Sequence, residues 1–169
     1  MKRHKSLKKH KTRKHKGFSL IELLIVVAII LIIAAIAIPN LLRSRVAANE
    51  ASAVASLHTL DTAEMTYSLT YPNVGFAALS ALGPSGSSSP TSAAAALIDA
   101  NLASGTKSGY TFTVTTGSGT PAASYQSTAA PVTPGTTGQR YFCSDASGVI
   151  QFNETQATGA TCASGNHPI

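Results

Sequence analysis

Tryptophan is absent from this 169-residue chain, and only 6% of residues are aromatic and 12% charged. Beyond residue 38 the composition is rich in Ala, Ser, Thr and Gly, so the chain can bury a modest core rather than a large one. Its length allows one domain with a tail or an anchor. Histidine is scarce past the N-terminal block, where only His58 and His167 remain. No nucleophile accompanies either in a catalytic pattern, and His58 with Asp61, at i and i+3, reads as a helix-surface pair. Oxygen donors for a hard cation are equally thin. Asp145, Asn153 and Glu154 are too few to suggest a Ca²⁺ cage. These shortages point away from an enzyme, a metal centre and a cofactor.

Acids are missing from residues 1–17 (MKRHKSLKKHKTRKHKG), which hold nine of the thirteen Lys and Arg. The rest of the chain has four basic residues against seven acids, a formal charge of −3. The net +6 therefore belongs to one segment. A nucleic-acid arm would use such cations against phosphates, but the block abuts an apolar run. His4, His10 and His15, spaced six and five apart, put no clean pair on one helical face. A cytoplasmic leader, later removed, fits the block best, with no nucleic-acid partner.

Charge then almost disappears. Phe18–Ile38 is 21 residues with one charged side chain, Glu22. That length matches the ~20 residues that cross hydrocarbon as a helix. The basic block before it holds the N-terminus in the cytoplasm by the positive-inside rule. Ala35-Ile36-Ala37 resembles a secretory cleavage site, but secretory apolar regions run only about 7–15 residues and gain nothing from an internal acid.

The stretch GFSLIELLIVVAII, followed by AAIAIPN, resembles the type IV prepilin signature, shared by type IV pilins and the pseudopilins of type II secretion. The resemblance covers residues 16 to about 60. It implies an inner-membrane prepilin peptidase that cuts between Gly17 and Phe18 and then N-methylates Phe18. The apolar segment survives that cut as an anchor. The resemblance also implies self-assembly into a filament with minor pilins or pseudopilins, driven by an assembly platform and its ATPase. The precursor would lie in the bacterial inner membrane with its head in the periplasm. The product would be a surface pilus for adhesion or motility, or a short periplasmic pseudopilus for protein export. A single-span protein that never polymerises and a secreted protein cut after Ala37 are the alternatives from other classes.

Glu22 is costly in hydrocarbon, and intramembrane acids are functional by default. The new α-amine of Phe18 is a cation at i−4, on the same helix face. In the family such a pair, made between neighbours, sets axial register. Pro39 stands where the family has a kinking proline. Many relatives carry Gly where this chain has Leu31, in AIILIIAA, and Leu raises helix propensity by about 0.8–1 kcal/mol. Loosening of the helix between residues 31 and 39 is therefore doubtful here.

Beyond Pro39 a stripe of Leu42, Val46, Ala53, Leu57, Leu60, Tyr67 and Tyr71 recurs at helical spacing, interrupted by Asn49 and Glu64. This predicts one bent helix over about 19–70, roughly 80 Å long. Its first part (18–38) is the span and its second (39–70) is amphipathic. Residues 71–169 form the head. There, Gly83 to Pro90 reads as a loop and Ser92–Ala103 as a short helix capped by Ser92. Tyr110, Phe112 and Val114 alternate with threonines as a strand. Residues 122–130 supply a partner, and 140–144 with 149–153 make a hairpin. The expectation is an α+β fold with an antiparallel sheet of three or four strands on the long helix. Cys143 and Cys162, on an exported chain, suggest one disulfide rather than two reduced thiols, and the pair resembles the C-terminal disulfide loop of type IV pilins. Asn153-Glu154-Thr155 matches the weak N-x-T pattern.

Overall fold

The computed structural model describes residues 17–86, 89–154, 162 and 167–169. The basic leader through Lys16, its three histidines and Thr155 lie outside these residues. The chain falls into two compact units, Met1–Pro39 and Asn40–Ile169. Helix α1 (Leu20–Thr70) supplies the described helical part of the first and the opening helix of the second.

In the first unit, the large aliphatics from Leu20 to Ile38 are exposed on every side. Their Ile and Val content would favour a strand in water. In hydrocarbon the backbone must satisfy its own hydrogen bonds, and a helix does so within one segment. The run is long and apolar enough to cross a membrane. The helix passes without interruption through Leu31 and Pro39.

In the second unit, α1 turns one face to a core. Ala53, Leu57, Leu60, Ala63 and Tyr67 are buried there. They pack with Leu82, Leu102, Tyr110, Phe112 and Phe142 in one cluster. The stripe read from the sequence holds through its middle and frays at its ends. Leu42 is exposed, and Val46 and Tyr71 are half-buried. Away from the core, Thr59, Thr62, Thr66 and Thr70 each donate the hydroxyl to the carbonyl four residues earlier. The helix stops at Thr70, and the chain turns through Tyr71 to Gly75. Gly75 has φ +81°, and any Cβ there would collide with the Ala122 backbone, so only glycine fits.

Helix α2 (Leu79–Leu82) and helix α3 (Ala100–Ala103) follow. The helix expected over residues 92–103 is thus only four residues long. Thr91 and Ala94 instead close a tight turn. Residues 95–98 run along α2, with Ala95 and Leu97 N–H groups donating to Ala81 and Leu82 carbonyls. Burial of Ala95 and Ile98 overrides the helix preference of the alanine run, which is weak per residue. The cap is Asp99, which accepts from the Asn101 and Leu102 N–H groups. Ser92 caps nothing, and its carbonyl takes the Tyr67 hydroxyl.

The sheet is an antiparallel meander of six strands in sequence order. These are β1 (Thr106–Lys107), β2 (Tyr110–Thr116), β3 (Tyr125–Pro131), β4 (Tyr141–Asp145), β5 (Gln151–Asn153) and β6 (His167–Pro168). The middle four are those the sequence pattern predicts. The two-residue edges β1 and β6 are too short to show alternation. Tyr110, Phe112 and Val114 point inward and their intervening threonines outward.

Candidate processing and assembly segment

Gly17, Phe18 and Ser19 precede the helix without regular structure, and Phe18 is exposed. A Cβ on Gly17 would meet nothing. Residues 17 and 18 are therefore open to solvent and outside the helix. Ser19 is the residue before the first helical turn, and Glu22 stands three later. Glu22 Oε2 accepts the Ser19 N–H at 2.9 Å. This is the acidic half of a capping box, S-x-x-E, satisfying an otherwise orphaned donor at the helix start. The signal was present in Ser19-Leu20-Ile21-Glu22 but is easily overlooked beside the membrane question. Glu22 and Phe18 stand at i and i−4 as the sequence requires. In the uncut chain Phe18 offers an amide there, not an amine.

Three carboxylates on α1 hold the head to the helix. Glu50 takes the Gln139 and Arg140 N–H groups on Oε1 and the Arg140 guanidinium on Oε2, with the ion pair at 2.7 Å. Burial works to raise its pKa, but these donors outweigh it and hold it below the ordinary value. Arg140 is further placed by the rings of Phe142 and Phe152, 5.5 and 5.2 Å away.

Asp61, read from the sequence as a surface partner of His58, is instead buried. Its oxygens accept the hydroxyls of Tyr125, Ser127 and Ser144. Those donors come from β3 and β4, which is why a local i, i+3 reading could not find them. Burial raises its pKa, and the hydroxyls only partly offset that. Glu64, an interruption of the apolar stripe, is fully buried and accepts the Ala77 N–H. Burial pushes its carboxyl up to about 7, with Asp61 adding to the rise. The other interruption, Asn49, donates to the Thr137 carbonyl at 2.8 Å. Both polar interruptions are thus ties between helix and head.

Cys143 in β4 is bonded to Cys162, with Cα atoms 5.6 Å apart. Among the described residues no group of three or more His, Cys, Asp or Glu could hold a metal ion.

A membrane-length apolar helix that continues into a small head with an antiparallel sheet defines a class: α+β subunits carried on a single N-terminal helix. The family comparison is narrower. Residues 12–38 match the prokaryotic N-terminal methylation motif. The chain is 59% identical over 46 residues to the type IV wide pilus major component PilA4 of Thermus thermophilus, covering 27% of this chain and 35% of that protein. It is 46% identical over 54 residues to the type IV major pilin protein PilA of Myxococcus xanthus, covering 32% and 24%. The matches thus span about a third and a quarter of those relatives' lengths. No solved structure matches. The N-terminal segment of this chain is thus similar to those of two type IV major pilins and carries the N-terminal methylation motif.

Proposed function

We propose that the chain is a type IV pilin subunit. Prepilin peptidase cuts between Gly17 and Phe18 and methylates the Phe18 amine. The product stays in the inner membrane through residues 18–38 and then enters a helical surface filament with copies of itself and minor pilins, through an assembly platform and its ATPase. The observation that carries this reading is the methylation motif over residues 12–38. The two relatives, both major pilus components, favour a pilus over a secretion pseudopilus.

Glu22 sets register. Cleavage gives Phe18 an α-amine with a reference pKa of about 7.7–8.0. A carboxylate and an ammonium in a low-dielectric bundle attract strongly, and leaving one unpaired is costly. The Ser19 N–H uses only one oxygen of Glu22 in the precursor, so the other is open to the amine of a neighbouring subunit. Mass spectrometry of the mature N-terminus tests the proposal. An N-methylated Phe18 is the expected result, and a start at Ile38 would refute it.

A further inference from the structure

Glu64 is fully buried, yet its two carboxyl oxygens are served unequally. Oε2 accepts the Ala77 N–H at 3.0 Å. Oε1 has no hydrogen bond among the described residues. The groups that face it offer no relief. Asp61, one turn earlier on α1, is a second buried acid. The Tyr67 hydroxyl is given to the Ser92 carbonyl, and the Tyr125 hydroxyl of β3 to Asp61. His58 acts on Asp61, and Asp145 of β4 acts on Tyr125. Among the described residues no ion pair includes Glu64. An ionised carboxylate so placed lacks a cation and a second donor, and a lone buried charge is costly.

Its partner sits on a lightly held piece of chain. Residues 71–78 (YPNVGFAA) join α1 to α2, carry no charged side chain, and have Tyr71 as their titratable group. Within this stretch Gly75 and Ala77 are buried and the rest are half-buried or exposed. On one side the Phe76 N–H donates to the Ala122 carbonyl and the Ala122 N–H to the Val74 carbonyl. The Phe76 ring also lies 4.7 Å from that of Tyr125. On the other side Ala77 is tied to α1 through Glu64. Segments with few buried contacts open locally at free energies well below that of global unfolding.

We infer that Glu64 is the catch of a pH-sensitive latch: its protonated carboxyl holds residues 74–78 closed on α1, and loss of the proton lets that segment open while the sheet stays folded. The sign follows from burial. In the closed form burial, with Asp61 adding to it, raises the Glu64 pKa from 4.5 to about 7. In the open form water solvates the carboxylate, and the pKa returns toward its ordinary value. The open form therefore holds the proton less tightly. Opening should grow about tenfold per pH unit between those two values and level off above the higher one. The Glu50 tie is not at stake in this window, because its pKa is held below the ordinary carboxylate value. The head is thus tightest at this point in mild acid. Opening brings water to Glu64 and Asp61 and uncovers Ala77.

The test is residue-resolved amide exchange by NMR on the full chain in detergent micelles, with rates corrected for the intrinsic pH dependence of exchange. From mildly acidic to neutral pH the Phe76 and Ala77 amides should lose protection about tenfold or more, with little further loss in alkali. At each pH they should exchange at least about tenfold faster than the Phe112 amide of β2. They should also be insensitive to low urea, because a local opening exposes little surface. The Glu64 side-chain carboxyl carbon should titrate over the same range in the same sample. E64Q should make the Ala77 response flat, and H58Q should leave it as in the wild type. Ala77 protection that does not change with pH would overturn the latch, as would a Glu64 carboxyl titrating in the ordinary range. Exchange of Ala77 only together with Phe112, with the same urea dependence, would place the effect in global unfolding and overturn it too. A response that survives in E64Q, or vanishes in H58Q, would remove Glu64 as the catch. Should E64Q fail to fold, the wild type decides alone, because the Glu64 titration and the Ala77 protection must change over one pH range.

Discussion

Glu64 shows how much one side chain can set. Its Oε2 is satisfied by Ala77, while its Oε1 is buried with no partner among the described residues. Its folded pKa of about 7 lies above the ordinary 4.5. The native state therefore binds this proton more tightly than the unfolded chain does. The stabilisation is fully present below about pH 4.5 and is lost as pH rises through 7. Over that window the head should lose on the order of 2–3 kcal/mol from this group. Urea unfolding of the wild type and Glu64→Gln at pH 5 and pH 8 checks it. The variant should be flatter with pH, and a wild type equally stable at both would contradict the assignment. Glu22 gives the residue-scale prediction for assembly. Glu22→Ala and Glu22→Gln should both abolish filaments while leaving processing at Gly17 intact, read by electron microscopy and by N-terminal mass. Normal filaments from both variants would remove the register role. The sequence announces Glu22, because a lone acid in an apolar run stands out. It does not announce Asp61 or Glu50, whose partners lie 64 to 90 positions away, on β3, on β4 and in the loop before β4. Glu64 is visible only as a flaw in a stripe.

Between elements, the join of α1 to the sheet depends on a few polar ties laid across an apolar seam. Glu50 and Arg140 are the strongest. Arg140→Ala leaves Glu50 buried without its cation, which should cost about 1–3 kcal/mol, less than a fully buried pair because Arg140 is partly exposed. Glu50 has a depressed pKa, so this contribution is present at neutral pH and is lost as pH falls through its folded pKa, below the ordinary carboxylate range. Unfolding of wild type and variant at pH 7 and pH 3 should show the difference shrinking in acid. The disulfide acts on another element. With a sequence separation of 19 between its ends, removing it by Cys143→Ser and Cys162→Ser should cost roughly 3 kcal/mol in the chain-entropy account. Denaturant midpoints with and without reductant measure this, and reductant should not affect the double variant. The long helix and the middle strands were legible because their periods are long enough to count. The helix at 92–103 was not, since an alanine run carries propensity but no information about what it will be buried against.

For the whole molecule, the two units differ in how they treat apolar surface. From Leu20 to Ile38 the first exposes large aliphatics on every side, whereas the second hides its apolar surface on one side of α1. The change from an all-round apolar run to a one-sided stripe is readable from the sequence alone. The placement of the head's charges is not readable, because pairing is a three-dimensional property. The sheet carries a further consequence, one of timing. Each strand pairs only with its sequence neighbours, from β1 through β6. Short loops close quickly, and low sequence separation speeds folding. The head can therefore zip its strands in the order they leave the ribosome, without waiting for the C-terminus. The long-range ties to Glu50 and Asp61, 64 to 90 positions apart in sequence, close afterwards.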